Sequence, residues 1–140
     1  MPKFFAGVKS DVNSNLHFID DQTVCYSVGH NVVLYNIEEK TQKYIPGTEG
    51  SEAITALAVT RSKKFLAIAE KTERTPICII YDLQTLKRKK VIASTELKKE
   101  NREFISIAFS AKNEKQIVTL TGIPQQNVYI WQWDKSKCVT

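Results

Sequence analysis

The chain has 140 residues, 42% of them hydrophobic and 25% charged, with a net charge of +5. That is enough apolar sequence to bury the core of one domain, which excludes a disordered chain. No apolar run approaches the ~20 residues of a membrane-spanning helix, and Met1 to Gly7 hold no stretch of signal-peptide length, so neither a membrane partner nor a secretory leader is expected.

In chain order, residues 4–8 (Phe4-Phe5-Ala6-Gly7-Val8) read as an isolated strand. Two weaker apolar runs follow at 16–19 and 23–28, separated by Asp20-Asp21-Gln22, and Gly29-His30 turns the chain into Asn31-Val32-Val33-Leu34-Tyr35-Asn36. A more polar run stands at 42–45. The next series reads 54–59, 65–69, 77–83 and 89–93, and the last reads 104–109, 116–120, 128–133 and 137–140. Each run is short, rich in β-branched and aromatic side chains, and bounded by Asp, Asn, Gly, Pro or Lys. These are strand signals, and no segment shows a helical apolar period.

The series repeat. Ile54-Thr55-Ala56-Leu57-Ala58-Val59-Thr60 aligns at an offset of 50 with Phe104-Ile105-Ser106-Ile107-Ala108-Phe109-Ser110. The aromatic-ended third runs begin at Asn31, Ile77 and Asn127, at spacings of 46 and 50 residues. Four antiparallel strands per ~40–50 residues is the unit of a β-propeller blade. The expected fold is therefore all-β: a partial WD40-like β-propeller of about three four-stranded blades, near 15–46, 53–93 and 103–140, with 4–8 as a possible closing strand. Rings need ~4–8 blades, so this chain alone does not close one. Its remaining blades are expected from a longer chain or another chain, and alone it should associate through exposed sheet. Val24, Leu57, Ala58, Leu66, Ile68, Ile79, Ile107, Phe109 and Val118 are the expected core.

In a WD-type repeat the third strand ends in an aromatic followed by an acid. The pairs here are Tyr35-Asn36, Tyr81-Asp82 and Trp131-Gln132, so only the middle one comes close. Gly29-His30 stands between second and third strands, away from the motif's place for it.

Little in the chain points to chemistry. No phosphate-cradling glycine loop, nucleophile elbow or zinc-protease motif is present. His17 reads as a strand histidine and His30 as a turn residue, and Asp20-Asp21 and Glu38-Glu39 as solvated turn acids. Cys25, Cys78 and Cys138 are 53 and 60 residues apart, a spacing for neither a disulfide framework nor a metal knuckle. Free thiols in a reducing cytoplasm are expected, with no catalytic residues, cofactor or metal.

Charge is the more informative feature. Residues 1–60 carry 4 basic and 7 acidic side chains, whereas residues 61–102 carry 12 and 5. The surplus concentrates in Lys87, Arg88, Lys89, Lys90, Lys98, Lys99 and Arg102. Such a stretch is either a solvated loop or a surface for an acidic partner. No aromatic stands within 87–102 to stack bases, which favours an acidic protein over nucleic acid. These seven residues are the candidate partner-binding set. A generic adaptor that binds acidic protein or nucleic acid through 87–102 is the alternative.

Several segments carry a family resemblance. The loop Ile45-Pro46-Gly47-Thr48-Glu49-Gly50-Ser51-Glu52 and the run Tyr81-Asp82-Leu83-Gln84-Thr85-Leu86-Lys87-Arg88-Lys89-Lys90-Val91 are the most specific. With Gly29-His30-Asn31, Ile54-Thr55-Ala56-Leu57-Ala58 and Leu66-Ala67-Ile68-Ala69-Glu70 they resemble the N-terminal WD-repeat region of the cilia- and flagella-associated protein 57 family. The resemblance implies a non-catalytic scaffold on axonemal doublet microtubules, beside inner dynein arms and regulatory complexes, with tubulin a further candidate partner.

Overall fold

The computed structural model describes residues 16–73, 75–93, 103–122, 126–135 and 137–139. They form three four-stranded antiparallel sheets in simple meander order. The first blade holds β1 (Leu16–Phe18), β2 (Thr23–Val28), β3 (Asn31–Asn36) and β4 (Thr41–Pro46). The second holds β5 (Ser51–Val59), β6 (Phe65–Thr72), β7 (Ile77–Asp82) and β8 (Arg88–Ile92). The third holds β9 (Phe104–Phe109), β10 (Gln116–Thr121), β11 (Val128–Gln132) and the two-residue β12 (Lys137–Cys138). The fold is that of propeller blades, and the three do not close a ring. The expected strand at 4–8 lies outside the described residues. No described helix is long and apolar enough to cross a membrane.

The strands fall where the apolar runs predict, with two instructive differences. In the second blade, β5 and β6 extend past the apolar runs over 51–53 and 70–72, where Glu70 is buried rather than solvated. In the third blade the strand expected to run through Trp133 stops at Gln132, and Trp133–Lys135 form a 3₁₀ turn. Leaving the ladder lets the Trp133 ring bury itself edge-on to Phe65, with ring centroids 5.0 Å apart. Its indole N–H donates to the Glu114 carbonyl at 2.7 Å, which supplies the partner a buried indole needs.

Two apolar clusters join the blades. Cys25, Val32, Leu34 and Ile45 of the first blade pack on Ile54, Leu57, Leu66, Ile68, Ile79 and Tyr81 of the second. The opposite face of the second blade, with Ala56, Ala58, Ala67, Ala69, Cys78, Ile80 and Ile92, packs on Phe104, Ile107, Ile117, Trp131 and Trp133 of the third. Alternation along β6 and β7 assigns successive residues to opposite neighbours. In β5 a register shift between Ile54 and Ala56 resets that alternation, as a bulge does.

Leu57, Ala58, Leu66, Ile68, Ile79 and Ile107 are buried as expected, while Val24, Phe109 and Val118 are only half-buried. Val24 and Val118 alternate with the inward residues Cys25 and Ile117, so they face away from the second blade, where no described sheet covers them. Phe109 packs on the second–third cluster from the last position of its strand and stays half-exposed there.

Candidate interaction surface

Four of the seven basic residues singled out in the sequence lie at the outer edge of the second blade. Arg88, Lys89 and Lys90 lie on β8 and Lys87 in the turn before it, all exposed. Lys98, Lys99 and Arg102 lie outside the described residues. β8 pairs with β7 alone, leaving its far edge free of any described strand. A lysine-rich edge resists unwanted strand pairing, which is why this sequence can expose one.

The strand does not present its charges as one face. Ile80 pairs with Lys90 and Tyr81 with Arg88, so Lys89 is the extra residue of a bulge. Cross-strand partners share a face. Arg88 therefore lies on the side of Tyr81, toward the first blade, and Lys90 on the side of Ile80, toward the third. Lys89 Nζ lies 4.0 Å from Asp82 Oδ2.

Asp82 also shapes the turn that leads into the strand. Its Oδ1 accepts the N–H groups of Gln84 at 2.8 Å and Thr85 at 3.2 Å, and its carbonyl accepts that of Leu86 at 2.7 Å. Asn36 does the same work in the first blade, where its Oδ1 accepts the Glu39 N–H at 2.8 Å. The residue after the aromatic is thus a turn cap in both, which is the physical content of the aromatic–acid dipeptide. Gln132 is a methylene longer and bonds Asp134 through Nε2 instead, at 2.9 Å. Leu86 sits at φ +57° and Lys40 at φ +55°, a region that bulky side chains rarely occupy.

Two hollows flank this turn between the first and second blades. One, of about 310 Å³, is lined by Asp20, Leu34, Glu39, Thr41, Lys43 and Leu86 among others. The other, of about 300 Å³, is lined by Tyr44 to Glu49 with Tyr81, Leu86 and Arg88. The wall formed by 46–49 is fixed from beneath. Thr48 donates its N–H and hydroxyl to the Glu70 carboxylate, which is 1% exposed. Gly47 donates to the His30 carbonyl at 2.7 Å, so close that a Cβ on residue 47 would collide with that oxygen. A buried acid holding a loop was not legible in the sequence, where Glu70 stands just past the apolar run 65–69.

Other polar groups serve structure. The Ser62 hydroxyl donates to Glu114 Oε2 at 2.6 Å, linking a turn of the second blade to one of the third. That bond is the main cause holding the Glu114 carboxyl below its ordinary pKa. Burial pushes the Cys25 thiol up to about 12, and burial chiefly, with the Glu70 charge, raises that of Cys78. Both stay thiols, and a thiol is a poor nucleophile. His17 pairs with Cys25 across β1 and β2, and His30 occupies the hairpin turn. Among the described residues no group of three or more His, Cys, Asp or Glu is placed to hold a metal.

Comparison with known proteins adds a family to this geometry. The chain is 33% identical over 133 residues to cilia- and flagella-associated protein 57 of Mus musculus, a match covering 94% of the chain. It is 34% identical over 143 residues to cilia- and flagella-associated protein 57 C of Tetrahymena thermophila, covering 98%. The resemblance to the cilia- and flagella-associated protein 57 family holds over nearly the whole chain. The matches span only 10% and 11% of those relatives' own lengths. Among solved structures the WD40 repeats of RRP9 superpose with a TM-score of 0.70 over 96% of this chain and 43% of that one, at 12% identity. That likeness establishes the WD40 fold alone. No family model matches the chain.

Proposed function

We propose that this chain is part of a non-catalytic scaffold of motile cilia and flagella. Its blades hold neighbouring axonemal proteins, inner dynein arm components and regulatory complexes among them, on the doublet microtubules. The observation that carries the reading is the identity of 33% and 34% to two ciliary relatives across almost the whole chain. The WD40 fold of the blades supports the scaffold reading. The basic residues Lys87, Arg88, Lys89 and Lys90 at the edge of the second blade are the proposed partner-facing set, with Lys98, Lys99 and Arg102 continuing it in sequence. Exposed ion pairs contribute only ~0.2–1 kcal/mol each, so such an edge acts by number and by steering encounter. An acidic protein surface is the partner it suits.

The test is fractionation of ciliated cells expressing a tagged form. The protein should remain with demembranated axonemes and appear in cells as they build motile cilia. Recovery from cells without motile cilia, bound to RNA in competition with tubulin, would overturn the reading and leave the generic adaptor in its place.

A further inference from the structure

We infer that the two open faces of this three-blade unit bind each other in a second copy of the chain, so that two copies placed head to tail close a six-bladed ring. The first and third blades each pack on the second with one face and leave the other without a described neighbour. Strand register fixes what those free faces carry, because cross-strand partners share a face. On the first blade Phe18 pairs with Val24 and Val24 with Tyr35, while Leu16 pairs with Tyr26. Tyr26 pairs in turn with Val33, and Val33 with Tyr44. All of these alternate with the inward residues Cys25, Val32, Leu34 and Ile45. On the third blade Val118 pairs with Ala108 and Ile130, and Leu120 with Ser106 and Val128. These point away from the inward Ile117 and Trp131. Seven large apolar side chains are exposed among the described residues, and four lie on these two faces: Leu16, Phe18, Tyr44 and Val128.

The chain's own interfaces identify the occupant. At both, the face that carries the aromatic of the third strand packs on the preceding blade, Tyr81 toward the first and Trp131 toward the second. Tyr35 holds that position in the first blade, 46 residues before Tyr81, and its face meets no preceding blade among the described residues. The opposite face of a blade is the receiving one. In the second blade it carries Ala56, Ala58, Cys78 and Ile80 against the third. At the offset of 50 these become Ser106, Ala108, Val128 and Ile130. The free face of the third blade is therefore a receiving face, and the free face of the first is the kind it receives. Three blades are too few to bring the two together in one ring, whereas six fall within the ~4–8 of closed propellers. A head-to-tail contact that closes after two copies stops there instead of growing.

This goes beyond the scaffold reading and does not depend on it. The test is the mass of the purified 140-residue chain by light scattering after size exclusion. A closed pair has twice 15.9 kDa. A monomer, its faces left for blades from elsewhere, or a series growing with concentration would overturn the ring. Two variants read the orientation. Phe18→Glu on the first blade and Val128→Lys on the third each place a charge in both contacts, so each should raise the dissociation constant roughly 10-fold or more. Mixing the two variants should restore a dimer, because the mixed pair keeps one unaltered contact and sets Glu against Lys across the other. A Val128→Lys chain that still pairs while Phe18→Glu does not would place first blade on first blade and overturn the head-to-tail order. Both side chains are more than half exposed, so circular dichroism of each variant should keep its strand signal. The wild-type mass decides the ring independently of either variant.

Discussion

Toward the first blade, the second blade presents Ile54, Leu57, Leu66, Ile68, Ile79 and Tyr81; toward the third its β5 and β6 present Ala56, Ala58, Ala67 and Ala69, beside Cys78, Ile80 and Ile92 from β7 and β8. The neighbours complement this. The first blade answers the large aliphatic face with Cys25, Val32, Leu34 and Ile45, and the third answers the alanines with Phe104, Trp131 and Trp133. Interiors pack to near-constant density, so large residues on one wall require small ones opposite. The two interfaces therefore differ in where their volume comes from. At the rim of the first interface lie two hollows, and at the second Trp133 packs on Phe65.

If the second interface depends on its aromatics, Trp131→Ala should be the most damaging single change, costing ~3–5 kcal/mol. The indole is 2% exposed and its N–H donates to the Thr119 hydroxyl at 2.9 Å, so the variant leaves both a cavity and a buried hydroxyl without its donor. Urea denaturation measures it. On the opposite face Ile68→Ala should cost ~2–4 kcal/mol by cavity formation alone. Next comes the polar fastening of the first interface, where Thr48→Val should cost ~1–3 kcal/mol by removing the hydroxyl that the buried Glu70 carboxylate accepts. The comparison is sharpest at Ala69. Ala69→Leu adds apolar surface yet should destabilise by ~1–3 kcal/mol through overpacking on the third blade. A stabilised Ala69→Leu chain would break the volume argument.

The smallest effect belongs to the rim of the second interface. Ser62→Ala removes the hydroxyl on Glu114 at an exposed site, so its cost at neutral pH should stay below ~1 kcal/mol. Glu114 is held below its ordinary pKa in the folded chain. A depressed carboxyl contributes stability that is present above its unfolded value and is lost as pH falls through the folded one. The gap between wild type and Ser62→Ala should therefore narrow on acidification below the usual carboxylate range. A gap independent of pH would show that the bond carries no linkage.

The repeat at 46 and 50 residues made the blades legible, because each strand run is bounded by turn residues and two-residue alternation marks the buried side. Sequence could not say which neighbour each face of Ile68 or Ala69 meets, since that depends on the order of sheets in space. The bulge at Lys89 was equally hidden: Lys87 to Lys90 read as one patch, whereas the extra residue divides Arg88 from Lys90. Glu70 was missed because burial of a carboxylate requires a donor from a loop 22 positions away. The weak aromatic–acid pairs were undervalued for a local reason. Asn36 and Asp82 cap their turns with the same oxygen position, and the sequence shows that only once the turn is seen.

The central claim is that the edge of the second blade docks an acidic protein surface of the axoneme. Its most direct test replaces Lys87, Arg88, Lys89 and Lys90 together with glutamate in the tagged protein and follows retention on axonemes washed with rising salt. These side chains are exposed, so the melting curve should barely move, while the variant should leave the axoneme at distinctly lower salt than wild type. Retention identical to wild type across the series would contradict the claim.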